Sequence, residues 1–296
     1  MLLVKTNRGV RSSTILAVAR KMYGTNQLSS MVLELNASDS RGIDDIRDQV
    51  VTFASTRKIF STGMKLVILD EADNMTRDAQ FALRRVIEKY TSNTRFCLIC
   101  NYVSKIIPAL QSRCTRFRFS PLAPEHVKGR VAQICQAEGI DCTDDGMNAL
   151  LKLGRGDMRK VLNLLESSSM QQAGTDGQKP VVDAHLVYQV AGKPTPDDVE
   201  TIVNSVLNDS IQEASEKIGA LQLEKGLALA DIVYELHDQV RQLDVPPEVT
   251  KYILKELAEV EFRLGTGVDE AIQLSGLIAV FMLARRLIER GLQGSS

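Results

Sequence analysis

The 296 residues include no tryptophan, three histidines, five cysteines and only 5% aromatic side chains, and each scarcity closes a class of function. His126, His185 and His237 stand far apart, so no histidine cluster exists at the spacing of a zinc or iron site. The cysteines (Cys97, Cys100, Cys114, Cys135 and Cys142) are odd in number and mostly lie among apolar neighbours. A disulfide framework is therefore excluded and reduced thiols are expected. Cys97 and Cys100 have the two-residue separation of a zinc knuckle, but they fall within an apolar run that reads as a strand, and no second pair follows. Core packing is the expectation for both. Long hydrophobic runs are also missing: the longest, Leu274 to Ala284, contains a serine and a glycine and is shorter than the roughly 18 residues of a spanning helix. No transmembrane helix is expected. Before Lys5 and Arg8 only Met1 to Val4 is apolar, too short for the centre of a secretory signal, so an intracellular chain is expected.

What is present is a globular composition, 44% hydrophobic and 25% charged, at a length that suits two to three domains. The net charge of −1 conceals a division. Residues 1–120 carry 19 Lys+Arg against 10 Asp+Glu, an excess of nine cations, and the remainder carries 17 against 27. A half that basic is suited to nucleic-acid phosphates, because each cation set against one releases a condensed counterion. A solvated charged surface is the simpler alternative.

Four short apolar runs in the basic half read as buried strands: Met1–Val4, Met31–Leu35, Leu66–Leu69 and Phe96–Cys100. A fifth, Thr115–Phe119, alternates Phe117 and Phe119 with Arg116 and Arg118. Helical patterns lie between them. One spans Ser13–Met22; another spans 77–90, where Ala79, Leu83, Val86 and Tyr90 recur at helical steps behind Thr76 as N-cap. Strands alternating with helices imply an α/β fold with a mostly parallel, three-layer sheet, and ligands gathered beyond the carboxyl ends of the strands. After Pro121 strand signals fade. Asp157 is a good N-cap for a helix through Leu165, with Gly154 and Gly156 marking the turn before it. Residues 171–182 read as a loop, and Thr195-Pro196-Asp197-Asp198 as a strong helix start. Two stripes, Ile232/Leu236/Val240/Leu243 and Ile253/Leu257/Val260/Leu264, then imply an all-helical bundle in which Phe281 and Met282 are core.

The sharpest local signal is Leu66-Val67-Ile68-Leu69-Asp70-Glu71-Ala72-Asp73. An apolar strand delivers two carboxylates together at its carboxyl end, where Asp70 can hold Mg²⁺ and Glu71 can polarise a water for attack on a γ-phosphate. This is Walker B chemistry. Its partner should be a phosphate cradle, G-x-x-x-x-G-K-[ST], after the first strand, which would need Gly at 5 and 10 and Lys at 11. The sequence has Lys5, Val10 and Arg11 there, leaving Gly9, Arg11 and the hydroxyls of Ser12 and Ser13 as phosphate or metal contacts. Val10 resists the positive φ angles that let backbone N–H groups converge on an anion. The loop is either a genuine divergence or the product of an altered amino terminus. Asp-Glu-Ala-Asp strings also occur in helicases, but these need a second recombinase-like domain, which the acidic helical half does not provide.

Leu33-Glu34-Leu35-Asn36-Ala37-Ser38-Asp39, Asp70-Glu71-Ala72-Asp73, Ala82-Leu83-Arg84-Arg85 and Ile107-Pro108-Ala109-Leu110-Gln111-Ser112-Arg113-Cys114 together resemble the small subunits of replication factor C, the eukaryotic loader of the sliding clamp and an AAA+ protein. The resemblance runs from about residue 13 to the end. It implies a nucleotide-binding AAA+ core at 1–120, a helical lid at 121–190 and a helical collar at 195–296 that joins five subunits. Family members have some tens of residues before the first strand, adenine contacts among them, so an N-terminally truncated core is expected. By resemblance Asn101 is sensor 1, Arg159 is sensor 2, and Arg113 is the arginine finger that acts in trans on a neighbour's ATP. Asp70 and Ser12 would share Mg²⁺. Arg41, Arg47, Arg57, Lys58 and Arg84 would track phosphates of primer-template DNA, and Thr52–Phe60 would face the clamp. The implied partners are the other replication factor C subunits in a hetero-pentamer, the sliding clamp and DNA, with ATP and Mg as cofactors and the nucleus as location. Two readings stay open: an ATPase subunit, and a non-hydrolysing scaffold that supplies Arg113 and collar contacts.

Overall fold

The computed structural model describes residues 2–5, 10–37, 43–56, 63–172 and 180–293, with backbone alone at 2–5, 10–11, 25, 43–47 and 290–293. The chain divides into two compact units, Met1–Gln133 with Leu151–Asn163, and Ile134–Leu150 with Leu164–Ser296.

The first unit is built on the strands β1 (Leu2–Lys5), β2 (Val32–Asn36), β3 (Lys65–Asp70), β4 (Thr94–Cys100) and β5 (Arg116–Phe119). They form one sheet in the order β2-β3-β4-β1-β5, and every pairing is parallel. Parallel strands require crossovers, and these are the helices α1 (Val10–Met31), α2 (Ile43–Ser55) and α3 (Arg77–Tyr90), followed by the single turn α4 (Pro108–Gln111). Alternate residues of the central strands serve opposite faces. Val67, Leu69, Phe96, Leu98 and Cys100 pack with Val50 of α2 and with Leu83, Val86 and Ile87 of α3. Leu66, Ile68, Cys97 and Ile99 pack on Ile15 and Ala19 of α1. This is the expected three-layer arrangement, and it puts Cys97 and Cys100 on different faces, as strand geometry requires. Burial pushes the Cys97 thiol up to about 12, the behaviour of an inert core residue.

Thr76 caps α3 as expected, its hydroxyl accepting from the Ala79 amide at 3.3 Å. Helix α1 is longer than the periodicity of Ser13–Met22 indicates, because Gly24 (φ 66°) lets the chain turn and resume a helical course to Met31. The helix also starts at Val10. That residue takes helical backbone rather than the positive-φ geometry that a β-branched side chain would resist.

After α5 (Pro124–Glu138) and α6 (Asp144–Gly154), helix α7 runs from Met158 to Gln172. Asp157 caps it, with Oδ1 accepting from the Arg159 amide at 3.0 Å. Gly156 in the preceding turn has φ 75°, and a Cβ there would lie 2.7 Å from the Leu122 carbonyl oxygen. No other residue fits that turn without displacing backbone.

In the second unit the stretch 171–182, expected as a loop, is ordered structure at both of its described ends, and 173–179 lie outside the described residues. Gln172 still belongs to α7, and Val181–Val182 (β7) pairs in parallel with Asp141–Cys142 (β6). These two-residue strands carry too little pattern to be read from sequence. Gly146 allows this pairing, since a Cβ there would meet the Val182 carbonyl oxygen at 2.3 Å. Six helices follow: α8 (Ala184–Ala191), α9 (Pro196–Asn208), α10 (Ile211–Lys225), α11 (Leu229–Val240), α12 (Pro247–Gly265) and α13 (Glu270–Gln293). Thr195 and Asp198 form a reciprocal capping box at the start of α9. The expected stripes meet in one core, where Ile232, Leu236, Val240, Ile253, Leu257 and Val260 are buried with Leu277, Ile278 and Phe281. Glu270–Glu289 is long and apolar enough by composition to cross a membrane, which the shorter run Leu274–Ala284 did not indicate. Its apolar stripe is spent on this core.

Candidate functional site

The strand order inserts β4 between β1 and β3, so the carboxyl ends of these three strands lie side by side. Two connections provide the chemistry. Helix α1 leaves the β1 side carrying Ser12 in its first turn, and β3 ends on Asp70. The Ser12 hydroxyl donates to Asp70 Oδ2 at 2.5 Å across 58 residues of sequence. A hydroxyl and a carboxylate oxygen in contact at a helix start are hard oxygen donors of the type Mg²⁺ accepts, and the helix N-terminus favours an adjoining anion.

The acid box then turns sharply. The Glu71 amide donates to Asp70 Oδ1 at 2.8 Å, and Glu71 itself is left-handed (φ 53°, ψ 37°) at the start of a 3₁₀ turn, Ala72–Asn74. A non-glycine residue there stores on the order of 1–2 kcal/mol, and such strain gathers at functional positions. Glu71 Oε2 accepts from the Asn74 side-chain amide at 3.1 Å, which fixes its carboxylate beside the strand tip.

Asp73, at 6% exposure, is the member of the box that reading for a metal and a base overlooked. Its two oxygens accept from the backbone amides of Asn101 (3.1 Å) and Tyr102 (3.2 Å). This bond pair ties the end of β4 to the β3 turn and holds Asn101 next to the acid box. Gln80, 1% exposed on the buried face of α3, was also overlooked. Its Nε2 donates to the carbonyls of Met75 (3.2 Å) and Lys105 (3.0 Å), and its Oε1 accepts from the Ile107 amide (2.8 Å). The available signal was a polar residue on the apolar stripe of an amphipathic helix, three residues from Leu83.

Arg113 lies on the turn that leaves α4, exposed at the surface. Its Nη1 donates to the Ala109 carbonyl at 2.8 Å, and its Nη2 meets Glu88 Oε1 at 2.6 Å. Arg84 Nε reaches the same Glu88 oxygen at 3.1 Å. The Arg84 hydrogen bond, followed by the attraction of both guanidinium groups, holds the Glu88 carboxyl below its ordinary range, although partial desolvation opposes this. Glu88 was not singled out in the sequence; its four-residue spacing from Arg84 was the visible clue.

Arg159 is exposed on the first turn of α7, and neither it nor Arg113 hydrogen-bonds to Ser12, Asp70 or Asn101 among the described residues. Ser13 is exposed on α1. Arg11 and Arg47 are placed by backbone alone, on α1 and α2. Gly9, Arg41, Arg57 and Lys58 lie outside the described residues, as does the second half of Thr52–Phe60.

A parallel sheet with this order, a hydroxyl on the first helix and acids at the β3 tip define the class of AAA+ nucleotide domains, here followed by a helical domain. The Holliday junction branch migration motor RuvB of Thermotoga maritima has the same fold at a TM-score of 0.51, 11% identity and 80% coverage of each chain. Residues 194–280 match the replication factor C C-terminal domain, and residues 18–123 match the DNA polymerase III delta subunit family. Replication factor C subunit 5 of Homo sapiens is 52% identical over 94% of this chain and 80% of its own length. Replication factor C subunit 3 of rice is 49% identical over 93% and 75%, and that of Schizosaccharomyces pombe is 47% identical over 91% and 76%.

The chain belongs to the replication factor C subunits, and its kin carry the number five in animals and three in rice and fission yeast. Its function is that of a clamp-loader subunit in DNA replication, within a hetero-oligomer of replication factor C subunits.

Proposed function

We propose that this subunit binds ATP with Mg²⁺ at the carboxyl ends of β1, β3 and β4, and lends Arg113 to the nucleotide of a neighbouring subunit. The observation that carries the reading is the 2.5 Å contact between Ser12 and Asp70. It joins a hydroxyl and a carboxylate from distant parts of the sequence, and the pair suits a hard divalent cation. Bound Mg·ATP would supply the γ-phosphoryl group and the charge that neutralises it. Ser12 and Asp70 hold the metal, Glu71 orients a water, Asn101 donates toward the terminal phosphate, and Arg159 approaches from the lid as sensor 2. Gly9, Arg11 and Ser13 are assigned to the phosphates by the family resemblance alone. In this reading 1–120 is the AAA+ core, 121–190 the lid and 195–296 the collar of a nuclear hetero-pentamer. That assembly uses ATP to open the sliding clamp and load it on primer-template DNA. Arg41, Arg47, Arg57, Lys58 and Arg84 track DNA phosphates, contacts that position without reading bases, while Thr52–Phe60 faces the clamp.

Lys5, Val10 and Arg11 support a second reading, because two cradle glycines and the compact phosphate-binding ammonium are replaced. The subunit would then serve as a scaffold and finger donor with no turnover of its own. ATP-binding stoichiometry of the reconstituted complex separates the two. Asp70→Asn in this subunit alone is expected to remove one Mg-dependent site; an unchanged count favours the scaffold.

A further inference from the structure

Exposed ion pairs usually contribute little, so the arrangement around Glu88 calls for another explanation than stability. One carboxylate oxygen receives two guanidinium groups, Arg113 at 2.6 Å and Arg84 at 3.1 Å. The Arg84 side chain holds the carboxylate from its own helix, one turn earlier. Arg113 is gripped twice: its Nη2 by Glu88 on α3, and its Nη1 by the Ala109 carbonyl on α4. Ser112 Oγ adds a weaker contact to Nη1 at 3.4 Å. A free arginine side chain gives up rotamer entropy when it is fixed. Here that ordering has already occurred before any partner arrives. A guanidinium has five N–H donors, so the two grips leave donors on Nε and Nη2 available to an anion approaching from solvent.

We propose that Glu88 is a positioning residue for Arg113, holding the guanidinium in the orientation in which it meets the phosphates of a nucleotide bound by the adjacent subunit. The inference rests on Arg113 acting in trans. It does not require this subunit's own nucleotide seat to function. Glu88 touches no nucleotide in this scheme and acts through Arg113 alone. Loss of Glu88 therefore misplaces the finger without removing it, and a displacement of about 1 Å can cost up to roughly a hundredfold in rate.

The test is steady-state ATP hydrolysis by the reconstituted complex carrying, in this subunit, Arg113→Ala, Glu88→Gln, Glu88→Ala, or Glu88→Ala combined with Arg113→Ala. The part of turnover that Arg113→Ala removes is the finger-dependent part. Glu88→Ala is expected to lower that part on the order of tenfold in kcat, with KM for ATP unchanged. Glu88→Gln, which keeps an acceptor oxygen but not the charge, should fall between Glu88→Ala and wild type. The double variant should be no slower than Arg113→Ala. If Arg113→Ala lowers turnover but Glu88→Ala leaves it equal or faster, or if the two losses multiply in the double variant, the positioning role is wrong and the finger stands. If Arg113→Ala changes nothing, the finger reading fails, and the role of Glu88 fails with it. Both positions altered in these variants are exposed, so equal melting temperatures are expected throughout.

Discussion

The tip of β3 and the turn after α4 belong to the same unit but are secured in different ways. At the strand tip, Asp70 and Glu71 are held by hydrogen bonds within the acid box and by Ser12, while the loop that should complete the seat lacks its glycines at 5 and 10. At the α4 turn nothing expected is missing, and Arg113 is gripped by a carboxylate and a carbonyl. In the proposed reading, the chemistry at this subunit's own nucleotide seat and the chemistry it would lend to a neighbour can therefore diverge independently. The first depends on a backbone cradle, whose two glycine positions are occupied here by Lys5 and Val10. The second depends on one side chain and its supports.

The largest effect that would break this contrast comes from Arg113→Ala. In the assembled complex the interface it serves should lose about 10³-fold or more in hydrolysis, whereas ATP binding by this subunit should be unaffected. A filter-binding assay beside a turnover assay checks both halves. If nucleotide binding here fell as well, the two regions would not be separable.

Gln80 physically joins the two regions, bonding Met75 after the acid box to Lys105 and Ile107 before α4. Gln80→Leu keeps the volume but strands one buried amide and two carbonyls. The cost is expected to be about 2–4 kcal/mol, read as a lowered denaturation midpoint. An unchanged midpoint would mean that packing and the Gln111 side-chain bonds to the Val103 and Ile106 carbonyls support α4 without Gln80.

The smallest effect concerns Glu88. Its folded-state pKa is lowered, so the pairing energy is fully present above the unfolded value of about 4.3. It is lost only as pH falls through the still lower folded value. Turnover should thus show no step from this group between pH 8 and pH 5. Carboxyl NMR titration should find its midpoint rising in Arg84→Ala, since the Arg84 hydrogen bond is the largest cause of the shift, and rising less in Arg113→Ala.

Much of the fold was legible. Runs of apolar residues at strand length marked four of the five strands of the sheet, the alternation of Phe117 and Phe119 with Arg116 and Arg118 marked the fifth, and Thr76, Asp157 and Thr195 announced their helices through chemistry confined to three or four residues. The pairing of Ser12 with Asp70 was also legible, because both belong to one motif pair. What escaped was of two kinds. The strands β6 and β7 have two residues each, below any periodicity. Asp73, Gln80 and Glu88 are polar groups whose partners come from elsewhere in the chain, 25 to 29 residues away for the contacts that define them, and no local pattern names such partners.

Sequence alone determined the alternation of strand and helix, the capping of the helices, the acids delivered to the end of β3 and the division of charge between the halves. All of these follow from neighbours a few residues apart. Tertiary structure decided which strand separates β1 from β3, that Asp73 would fasten Asn101 beside the acid box, and that Arg84 and Arg113 would meet on one carboxylate oxygen. The reason is geometric: a hydrogen bond is made within about 3 Å, and residues distant along the chain come that close only after the sheet has stacked its strands and the helices have closed over both faces.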